Sequence, residues 1–232
     1  LVRWMHPERG LVPPLEFIQI AEETGLIVRL GQMVIEKACA QIAQWKAEGL
    51  PVVPVSINVS ALQFNDGHVK DILATCMDKY RVEPDLIGVE LTESCMAGED
   101  ETVAGELDGL RALGVKLLVD DFGTGYSSLS QLQRLNVDIL KVDRAFTVTL
   151  AESEEGKALF KAIVSMADAL DIGIVAEGVE TPEQLNVLQS LRCDEVQGHF
   201  VSKPVPAHEM AALMIRRFLF PPAQSSGRFA TA

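Results

Sequence analysis

Short runs of apolar and β-branched residues alternate along this chain with stretches that have helical periodicity. Each run is almost continuously hydrophobic, which is typical of parallel strands that are buried on both faces. Strands that alternate with helices over a whole chain predict an α/β fold in which helices cover a parallel sheet. The seven runs are Leu1–Trp4, Val52–Val59, Leu86–Leu91, Val115–Asp120, Asp138–Val142, Gly173–Glu177 and Glu195–Val201.

Helix signals occupy the stretches between these runs. The segment Gly31–Glu48 ends at Gly49, and glycine commonly follows the last turn of a helix. Residues 181–184 read Thr-Pro-Glu-Gln, which combines an N-cap, a proline at the first helical position and a capping-box glutamine. In the first of these helices four residues share one apolar face: Ile35, Cys39, Ile42 and Trp45.

Six consecutive predicted strands carry polar side chains near their carboxyl ends. In a parallel barrel these ends open on one face, where active sites are built. An open doubly wound sheet instead concentrates its ligand at one crevice. A polar group on almost every strand therefore favours the barrel over the open sheet. The polar residues are Asn58, Glu90, the pair Asp120 and Asp121, Lys141, Glu177 and Gln197.

Oxygen ligands dominate this set, and the strand ends carry no histidine, nucleophile elbow or phosphate-binding loop. Carboxylate and amide oxygens select Mg²⁺ or Mn²⁺ over Zn²⁺. Because Asp120 and Asp121 are adjacent, one carboxylate could bridge two cations while its neighbour binds the second. Two such metals can activate a water and stabilise the leaving oxygen of an in-line phosphoryl displacement. Lys141 would hold or polarise that water.

Taken one at a time, these residues also have structural explanations. A single Asn or Glu at the end of a strand commonly caps a helix or pairs with a cation. Asp120 and Asp121 could begin the turn that continues through Phe-Gly-Thr-Gly at residues 122–125. Lys141 could be a counter-ion inside the barrel. The joint pattern, rather than any single residue, favours a metal-dependent site.

Composition narrows the choice of partners. The chain has 20 Lys and Arg against 33 Asp and Glu, a formal net charge of −13. This charge excludes a broad basic surface for DNA, RNA or anionic lipid, but not a compact phosphorylated ligand held through metal ions. No apolar run approaches the roughly 18 residues of a membrane span, and the first residues do not resemble a signal peptide. We therefore expect a cytoplasmic protein without membrane contact through this segment.

The cysteines and the end of the chain complete the organisation. The cysteine spacing matches no zinc-ligand pattern, and reduced buried thiols are favoured over disulfides in a cytoplasmic protein. The tail Phe218–Ala232 contains Pro-Pro and Ser-Ser-Gly. These residues predict one domain over 1–217, followed by a tail or linker over 218–232.

Several segments resemble the EAL domain family, in order from residue 1 to about residue 213. Two of them are highly specific: Asp-Asp-Phe-Gly-Thr-Gly-Tyr-Ser-Ser-Leu at 120–129 and Val-Ala-Glu-Gly-Val-Glu-Thr at 175–181. Ser-Ile-Asn-Val-Ser at 56–60, Glu-Leu-Thr-Glu-Ser at 90–94 and Leu-Lys-Val-Asp at 140–143 also match. The resemblance implies a modified TIM (βα)8 barrel that hydrolyses the bacterial second messenger cyclic di-GMP to linear pGpG with Mg²⁺ or Mn²⁺. We expect Ca²⁺ to inhibit, because its larger and looser coordination shell misplaces the attacking water.

The resemblance also implies roles for individual residues. The ligands of the first metal would be Asn58, Glu90 and Asp120. Those of the second would be Asp120, Asp121 and Glu177. Lys141 would position the attacking water, and Glu177 would share in catalysis. The substrate would contact Leu1, Arg3, Glu180 and Gln197, with the guanidinium of Arg3 on a phosphate. The segment that couples the site to dimerisation would comprise Glu93, Phe122, Gly123, Thr124, Gly125, Tyr126, Ser127 and Ser128.

The resemblance is incomplete at the start of the chain. The family is named for a Glu-Ala-Leu run whose Glu binds the first metal, and Leu1 matches the Leu of that run. The first strand and part of the second would then lie upstream of residue 1. A barrel that lacked them would expose strand edges. We therefore expect a longer parent chain, with an upstream sensory or GGDEF domain and a homodimeric assembly.

Functions of different classes fit this pattern. The first is an active cyclic di-GMP phosphodiesterase, and the second is a catalytically silent receptor that binds the nucleotide and signals through attached domains. Silent relatives usually lose several ligands, whereas every family position within this chain is kept, which favours the enzyme. Spacing alone would also allow another metal-dependent barrel lyase or hydrolase.

Overall fold

The computed structural model of the chain describes residues 1–92, 95, 101–125 and 129–216. A two-stranded hairpin precedes a six-stranded parallel sheet in which each strand pairs with the next one along the chain. The hairpin strands are β1 (Trp4–His6) and β2 (Gly10–Val12). The sheet strands are β3 (Val55–Asn58), β4 (Ile87–Thr92), β5 (Lys116–Phe122), β6 (Ile139–Val142), β7 (Gly173–Ala176) and β8 (Glu195–Val196).

Helices connect these strands, and two short 3-10 turns lie at Pro14–Glu16 and Pro84–Leu86. The helices are α1 (Ile18–Glu23), α2 (Leu26–Ala47), α3 (Ala61–Asp66), α4 (Val69–Tyr80), α5 (Glu101–Leu113), α6 (Leu129–Leu135), α7 (Arg144–Val148), α8 (Glu154–Leu170), α9 (Pro182–Ser190) and α10 (Ala207–Met214). Within the described ranges, none of the helices combines the length and the apolar character of a membrane-spanning segment. The predicted tail at 218–232 lies outside those ranges.

The central strands are buried on both faces. Residues 87–91 of β4 are all buried, and so are Leu117, Leu118 and Val119 of β5. A strand with water on one face would alternate buried and exposed residues, so both faces of this sheet are covered. The predicted α/β fold with parallel strands under helices is therefore confirmed.

Two helices predicted from local signals form where the sequence places them. Helix α2 buries Ile35, Cys39, Ile42 and Trp45, although it begins at Leu26, after Gly25 with a φ of 72°. Helix α9 begins with the capping box of Thr181 and Gln184 and has its proline in the first turn. In both helices the local rule and the tertiary packing agree.

The first predicted strand is wrong in its position. The run Leu1–Trp4 does not enter the parallel sheet, because Trp4–His6 folds back and pairs antiparallel with Gly10–Val12. The His6 imidazole stabilises the intervening turn, since its Nδ1 accepts hydrogen bonds from the N–H groups of Glu8 and Arg9. Trp4 and Met5 are exposed, unlike the residues of a central strand.

The last strand is shorter than predicted. The run Glu195–Val201 contains a strand only at Glu195–Val196. The chain then turns over the β7–α9 loop, where the Val179 N–H donates to the Gln197 carbonyl and the Phe200 N–H donates to the Val179 carbonyl. A Cβ atom at Gly198 would lie 2.2 Å from the Val179 carbonyl oxygen. This close backbone approach ends the strand.

All four cysteines are free and buried, as predicted. Burial raises the pKa of the Cys39 thiol to about 11 and that of the Cys193 thiol to about 12. The thiolate is the nucleophilic form of cysteine. These two cysteines are therefore unreactive parts of the core near neutral pH.

Two aspartates fasten the amino ends of the strands in the same way. Asp138 precedes β6, and its Oδ2 accepts the Leu117 N–H of β5 at 2.8 Å. Asp194 precedes β8, and its Oδ2 accepts the Ile174 N–H of β7 at 2.9 Å. Each carboxylate thus bonds to the neighbouring strand at the end of the sheet opposite the predicted site.

We expect Asp194→Ala to lower the free energy of unfolding by about 1 kcal/mol, because it removes a charge-assisted hydrogen bond and leaves the Ile174 N–H without its acceptor. Asp194→Asn keeps an acceptor oxygen and should lose less. Urea denaturation of both variants measures the difference. Equal stability of the wild type and Asp194→Ala would show that this carboxylate does not fasten β7.

Candidate metal centre

The ammonium group of Lys141 lies among three carboxylates. Its Nζ is 2.9 Å from Glu90 Oε2, 2.7 Å from Asp120 Oδ1 and 2.8 Å from Glu177 Oε1. Lys141 lies on β6, between β5 and β7, and its side chain also reaches across β5 to Glu90 on β4. The Lys141 side chain is 6% exposed and those of its three partners are at most 16% exposed. The carboxyl ends of these strands therefore enclose a charged pocket.

Burial and charge act against each other in this pocket. Burial opposes the ammonium charge of Lys141, but Glu90, Glu177 and Asp120 together outweigh it, so the pKa of Lys141 is raised. Burial also raises the pKa of the Glu177 carboxyl group, and Lys141 offsets only part of that effect. Both shifts follow from the cost of placing excess negative charge in a poorly solvated site. An added cation would relieve that cost.

Asp120 and Asp121 reach one pocket although they are adjacent in β5. Adjacent side chains of a regular strand point to opposite faces. Here the pairing of β5 with β6 shifts register between Val119 and Phe122, and Asp121 has a φ of 53°. Such a bulge re-aims a side chain, and aspartate tolerates the left-handed conformation better than most residues. The bulge therefore allows both carboxylates to face the same ligand.

The predicted second-metal residues converge. One carboxylate oxygen from each of Asp120, Asp121 and Glu177 lies within 4.8 Å of the other two. Asp120 and Glu177 are half-buried and Asp121 is exposed. Three hard oxygen donors in such surroundings suit a divalent cation that keeps part of its water shell. This cluster could hold a metal ion.

The predicted first-metal residues lie on three adjacent strands. Asn58 ends β3 and is the register partner of Glu90 on β4, while Glu90 and Asp120 share the Lys141 ammonium group. Asn58 is exposed, whereas Glu90 is buried. The parallel register thus places these three polar groups along the same rim of the sheet.

The predicted substrate residues occupy different surroundings. Arg3 donates to the carbonyls of Leu1 and Val2 at 3.0 Å. Gln197 is exposed just after β8. Glu180 pairs with Arg144, whose Nη2 lies 3.0 Å from Glu180 Oε1. Arg3 is thus bonded to the backbone of Leu1 and Val2, whereas Glu180 is paired with α7.

Part of the predicted coupling loop is described. Phe122 is buried, Gly123 has a φ of 97°, and the Thr124 hydroxyl donates to the Asp121 carbonyl at 2.9 Å. These contacts define the turn that directly follows β5. Glu93, Tyr126, Ser127 and Ser128 lie outside the described residues.

Sequence reasoning missed two residues of α7 that contact the loops of the pocket. Arg144 pairs with Glu180, and the ring of Phe146 packs against Gly123. The available signal was their position directly after the Leu-Lys-Val-Asp segment at 140–143. Their contacts depend on tertiary structure, which that segment alone does not indicate.

The model of the EAL domain family matches residues 1–204 of this chain. The chain is 42% identical over 207 residues to cyclic di-GMP phosphodiesterase PdeR of Escherichia coli, covering 89% of this chain and 31% of PdeR. It is 40% identical over 212 residues to the bifunctional diguanylate cyclase/cyclic di-GMP phosphodiesterase MucR of Pseudomonas aeruginosa, covering 91% of this chain and 31% of MucR. The chain thus spans less than a third of the length of these relatives.

A solved structure of the PaMucR phosphodiesterase in complex with c-di-GMP is similar over most of its length. The TM-score is 0.85 at 40% sequence identity, and the match covers 90% of this chain and 85% of that chain. EAL domains of this kind are TIM-barrel-like. The curled parallel sheet of β3 to β8 is the part of that architecture described in this chain.

Proposed function

Because the chain belongs to the EAL domain family, we propose that it is a metal-dependent phosphodiesterase that hydrolyses cyclic di-GMP to linear pGpG. The observation that carries this proposal is the convergence of Asp120, Asp121 and Glu177 beside Lys141. The names of PdeR and MucR give the same activity to those relatives, and the similar MucR structure contains the cyclic dinucleotide.

The cofactor is Mg²⁺ or Mn²⁺ in this proposal. An all-oxygen donor set of carboxylates and one amide fits these hard cations better than Zn²⁺. Asp120, Asp121 and Glu177 would hold one ion, and Asn58, Glu90 and Asp120 would hold the other. When bound, the two ions supply a more acidic water and a counter-charge for the leaving oxygen.

The chain's own residues place the reactants. The water oxygen forms a bond to phosphorus, the bond from phosphorus to the 3′ oxygen breaks, and one proton ends on that oxygen. Lys141 donates a hydrogen bond to the attacking water and offsets negative charge on the phosphoryl oxygens. Glu177, 2.8 Å from Lys141 Nζ, orients that ammonium group. Leu1, Arg3, Glu180 and Gln197 line the approach of the nucleotide in this proposal.

The alternative function is a silent receptor for cyclic di-GMP. A receptor needs a nucleotide-binding surface but gains nothing from several carboxylates forced together in a pocket. Holding Glu90, Asp120 and Glu177 around one ammonium group is costly. The presence of this costly cluster therefore favours a catalytic function over a receptor function.

We also propose the assembly in which the domain works. The parent chain carries an upstream sensory or GGDEF domain, because the segment covers only 31% of MucR, whose name includes a cyclase activity. The chain forms a homodimer whose interface communicates with the site through Glu93 and residues 122–128. The proposed location of this domain is the cytoplasm.

We expect the protein to convert cyclic di-GMP to pGpG with Mg²⁺, and we expect Ca²⁺ to inhibit, because its larger and looser coordination shell misplaces the water.

Glu177→Ala should lower the rate of hydrolysis by at least about 100-fold, since it removes one proposed metal ligand and one contact of Lys141. Chromatography of the products measures both effects. The control Glu154→Ala removes an exposed glutamate on α8 that pairs with Lys157. Equal rates for the wild type and Glu177→Ala, or full activity with Ca²⁺ alone, would contradict the proposal.

A further inference from the structure

The five-residue helix α7 follows β6 directly and lies between two other strand-end loops. Asp143 caps it, with Asp143 Oδ1 accepting the Ala145 N–H at 2.8 Å. The preceding strand supplies Lys141, and the Val142 carbonyl accepts the Glu177 N–H at 3.0 Å. The start of α7 is therefore tied to the centre of the pocket on one side and to β7 on the other.

Arg144 packs over the backbone next to Glu177. Gly178 has a φ of 68°, and a Cβ atom there would lie 2.3 Å from Arg144 Cγ and 2.7 Å from Arg144 Cβ. The aliphatic stem of Arg144 thus occupies the space that any other residue at 178 would need. Its guanidinium group continues to Glu180, at 3.0 Å. One side chain therefore spans the loop that carries the metal ligand Glu177.

Phe146 makes the equivalent contact on the other side of the pocket. Gly123 has a φ of 97°, and a Cβ atom there would lie 2.5 Å from two carbons of the Phe146 ring. Gly123 is two residues beyond Asp121, on the turn that follows the bulge of β5. The ring therefore contacts the backbone that fixes the direction of Asp121.

We propose that α7 is a positioning element for the metal site: Arg144 holds the Glu177 loop through Gly178, and Phe146 holds the Asp121 turn through Gly123. Neither side chain contacts the reacting atoms in this assignment. Both set the backbone on which two of the three convergent carboxylates are mounted. The proposal rests on the proposed metal-dependent function, and it adds residues to that site which donate no ligand.

The guanidinium group and the aliphatic stem of Arg144 contribute differently to holding the Glu177 loop. The Arg144 and Glu180 side chains are 58% and 41% exposed, and an exposed ion pair contributes little energy. The aliphatic stem, in contrast, fills the space above Gly178 and blocks movement of the loop toward α7. Packing by the stem should therefore matter more for the site than the charge.

The test compares Arg144→Ala with Arg144→Met. Met keeps an aliphatic stem but loses the ion pair, whereas Ala loses both. We expect Arg144→Ala to weaken Mn²⁺ binding by about tenfold, the scale of residues that orient metal ligands, and Arg144→Met to stay within about twofold of the wild type. Electron paramagnetic resonance of free Mn²⁺ measures the dissociation constant without any nucleotide. Thermal denaturation of each variant shows that it is folded.

A second test variant examines Phe146, and a control variant removes an ion pair far from the pocket. Phe146→Ala should weaken Mn²⁺ binding to a similar extent through the Asp121 turn. The control Lys79→Ala removes a pair with Glu36 of nearly the same exposure, 55% and 44%, on the outer helices α4 and α2, and should leave the Mn²⁺ affinity unchanged. Hydrolysis assays on the same proteins should show a lower kcat for Arg144→Ala and Phe146→Ala, with KM changed less.

The outcomes separate this proposal from the proposed function. Wild-type Mn²⁺ affinity in folded Arg144→Ala and Phe146→Ala would overturn the positioning role. Equal losses in Arg144→Met and Arg144→Ala would overturn the assignment of that role to packing of the Arg144 stem over Gly178. A wild-type protein that binds Mn²⁺ but hydrolyses nothing would contradict the phosphodiesterase and leave the role of α7 standing. A wild-type protein that binds no Mn²⁺ would contradict both.

Discussion

Lys141→Met is expected to lower the turnover of cyclic di-GMP by about 10²–10³-fold, the usual loss when one preorganised donor to a developing charge is removed. The ammonium group contacts Glu90, Asp120 and Glu177. Its loss removes the hydrogen bond to the attacking water and a positive charge next to the phosphoryl group. Steady-state kinetics at saturating Mg²⁺ measures the effect.

Lys141→Met also allows the contribution of the ammonium group to the free energy of unfolding to be measured. Without a divalent cation, Lys141→Met leaves three crowded carboxylates unpaired, and the free energy of unfolding should fall by about 3 kcal/mol. Mg²⁺ should restore much of that loss, because it neutralises the same groups. The control Lys157→Met removes a half-buried lysine that pairs with the exposed Glu154, away from the pocket. Turnover of Lys141→Met within tenfold of the wild type would contradict the role of Lys141.

Asp121→Asn is expected to lower kcat by about 100-fold while KM changes by no more than a few-fold. Asparagine tolerates the left-handed conformation that Asp121 adopts, with a φ of 53°, so the bulge should persist and only the charge should disappear. The lost carboxylate serves the displacement step rather than the binding of the nucleotide. Measurements of kcat and KM over a range of cyclic di-GMP concentrations separate the two parameters.

A matched control exists for this substitution. Asp171, which directly follows the last residue of α8, has a similar φ of 59° and is exposed. Asp171→Asn therefore makes the same chemical change in the same backbone conformation away from the pocket, and both kinetic constants should be unchanged. A variant Asp121→Asn that raised KM without lowering kcat would contradict the proposed role of Asp121.

Much of the fold follows from local rules in the sequence. The continuous apolar runs identify β4 to β7, because a strand covered on both faces has no polar alternation. The capping box at Thr181 and the apolar stripe from Ile35 to Trp45 identify two helices whose local preference agrees with their packing. These features depend on neighbours close in sequence.

The errors arise where pairing depends on distant residues. The run Leu1–Trp4 is apolar enough for a central strand, but the turn at His6 returns the chain against Gly10–Val12. The end of β8 likewise depends on the Val179 backbone above Gly198. Neither contact is encoded in the hydrophobicity of the run itself.

In the candidate site, too, the sequence predicts the features that depend on strand ends and misses those that depend on distant contacts. The sequence indicates that Asp120, Asp121, Lys141 and Glu177 lie at strand ends, and the parallel register brings them to one rim. It does not indicate the bulge that turns Asp121 toward Asp120, because adjacent residues of a strand normally diverge. Nor does it indicate Arg144 over Gly178 or Phe146 over Gly123, which depend on how three loops pack together.

In the proposed reaction, water enters this pocket and opens the cyclic dinucleotide. The most direct test is a reaction of the wild-type protein with cyclic di-GMP and Mg²⁺ in ¹⁸O-labelled water, analysed by mass spectrometry. We expect linear pGpG that carries one solvent oxygen on its terminal phosphate. Recovery of bound but unchanged cyclic di-GMP would contradict the proposed reaction and identify the domain as a receptor.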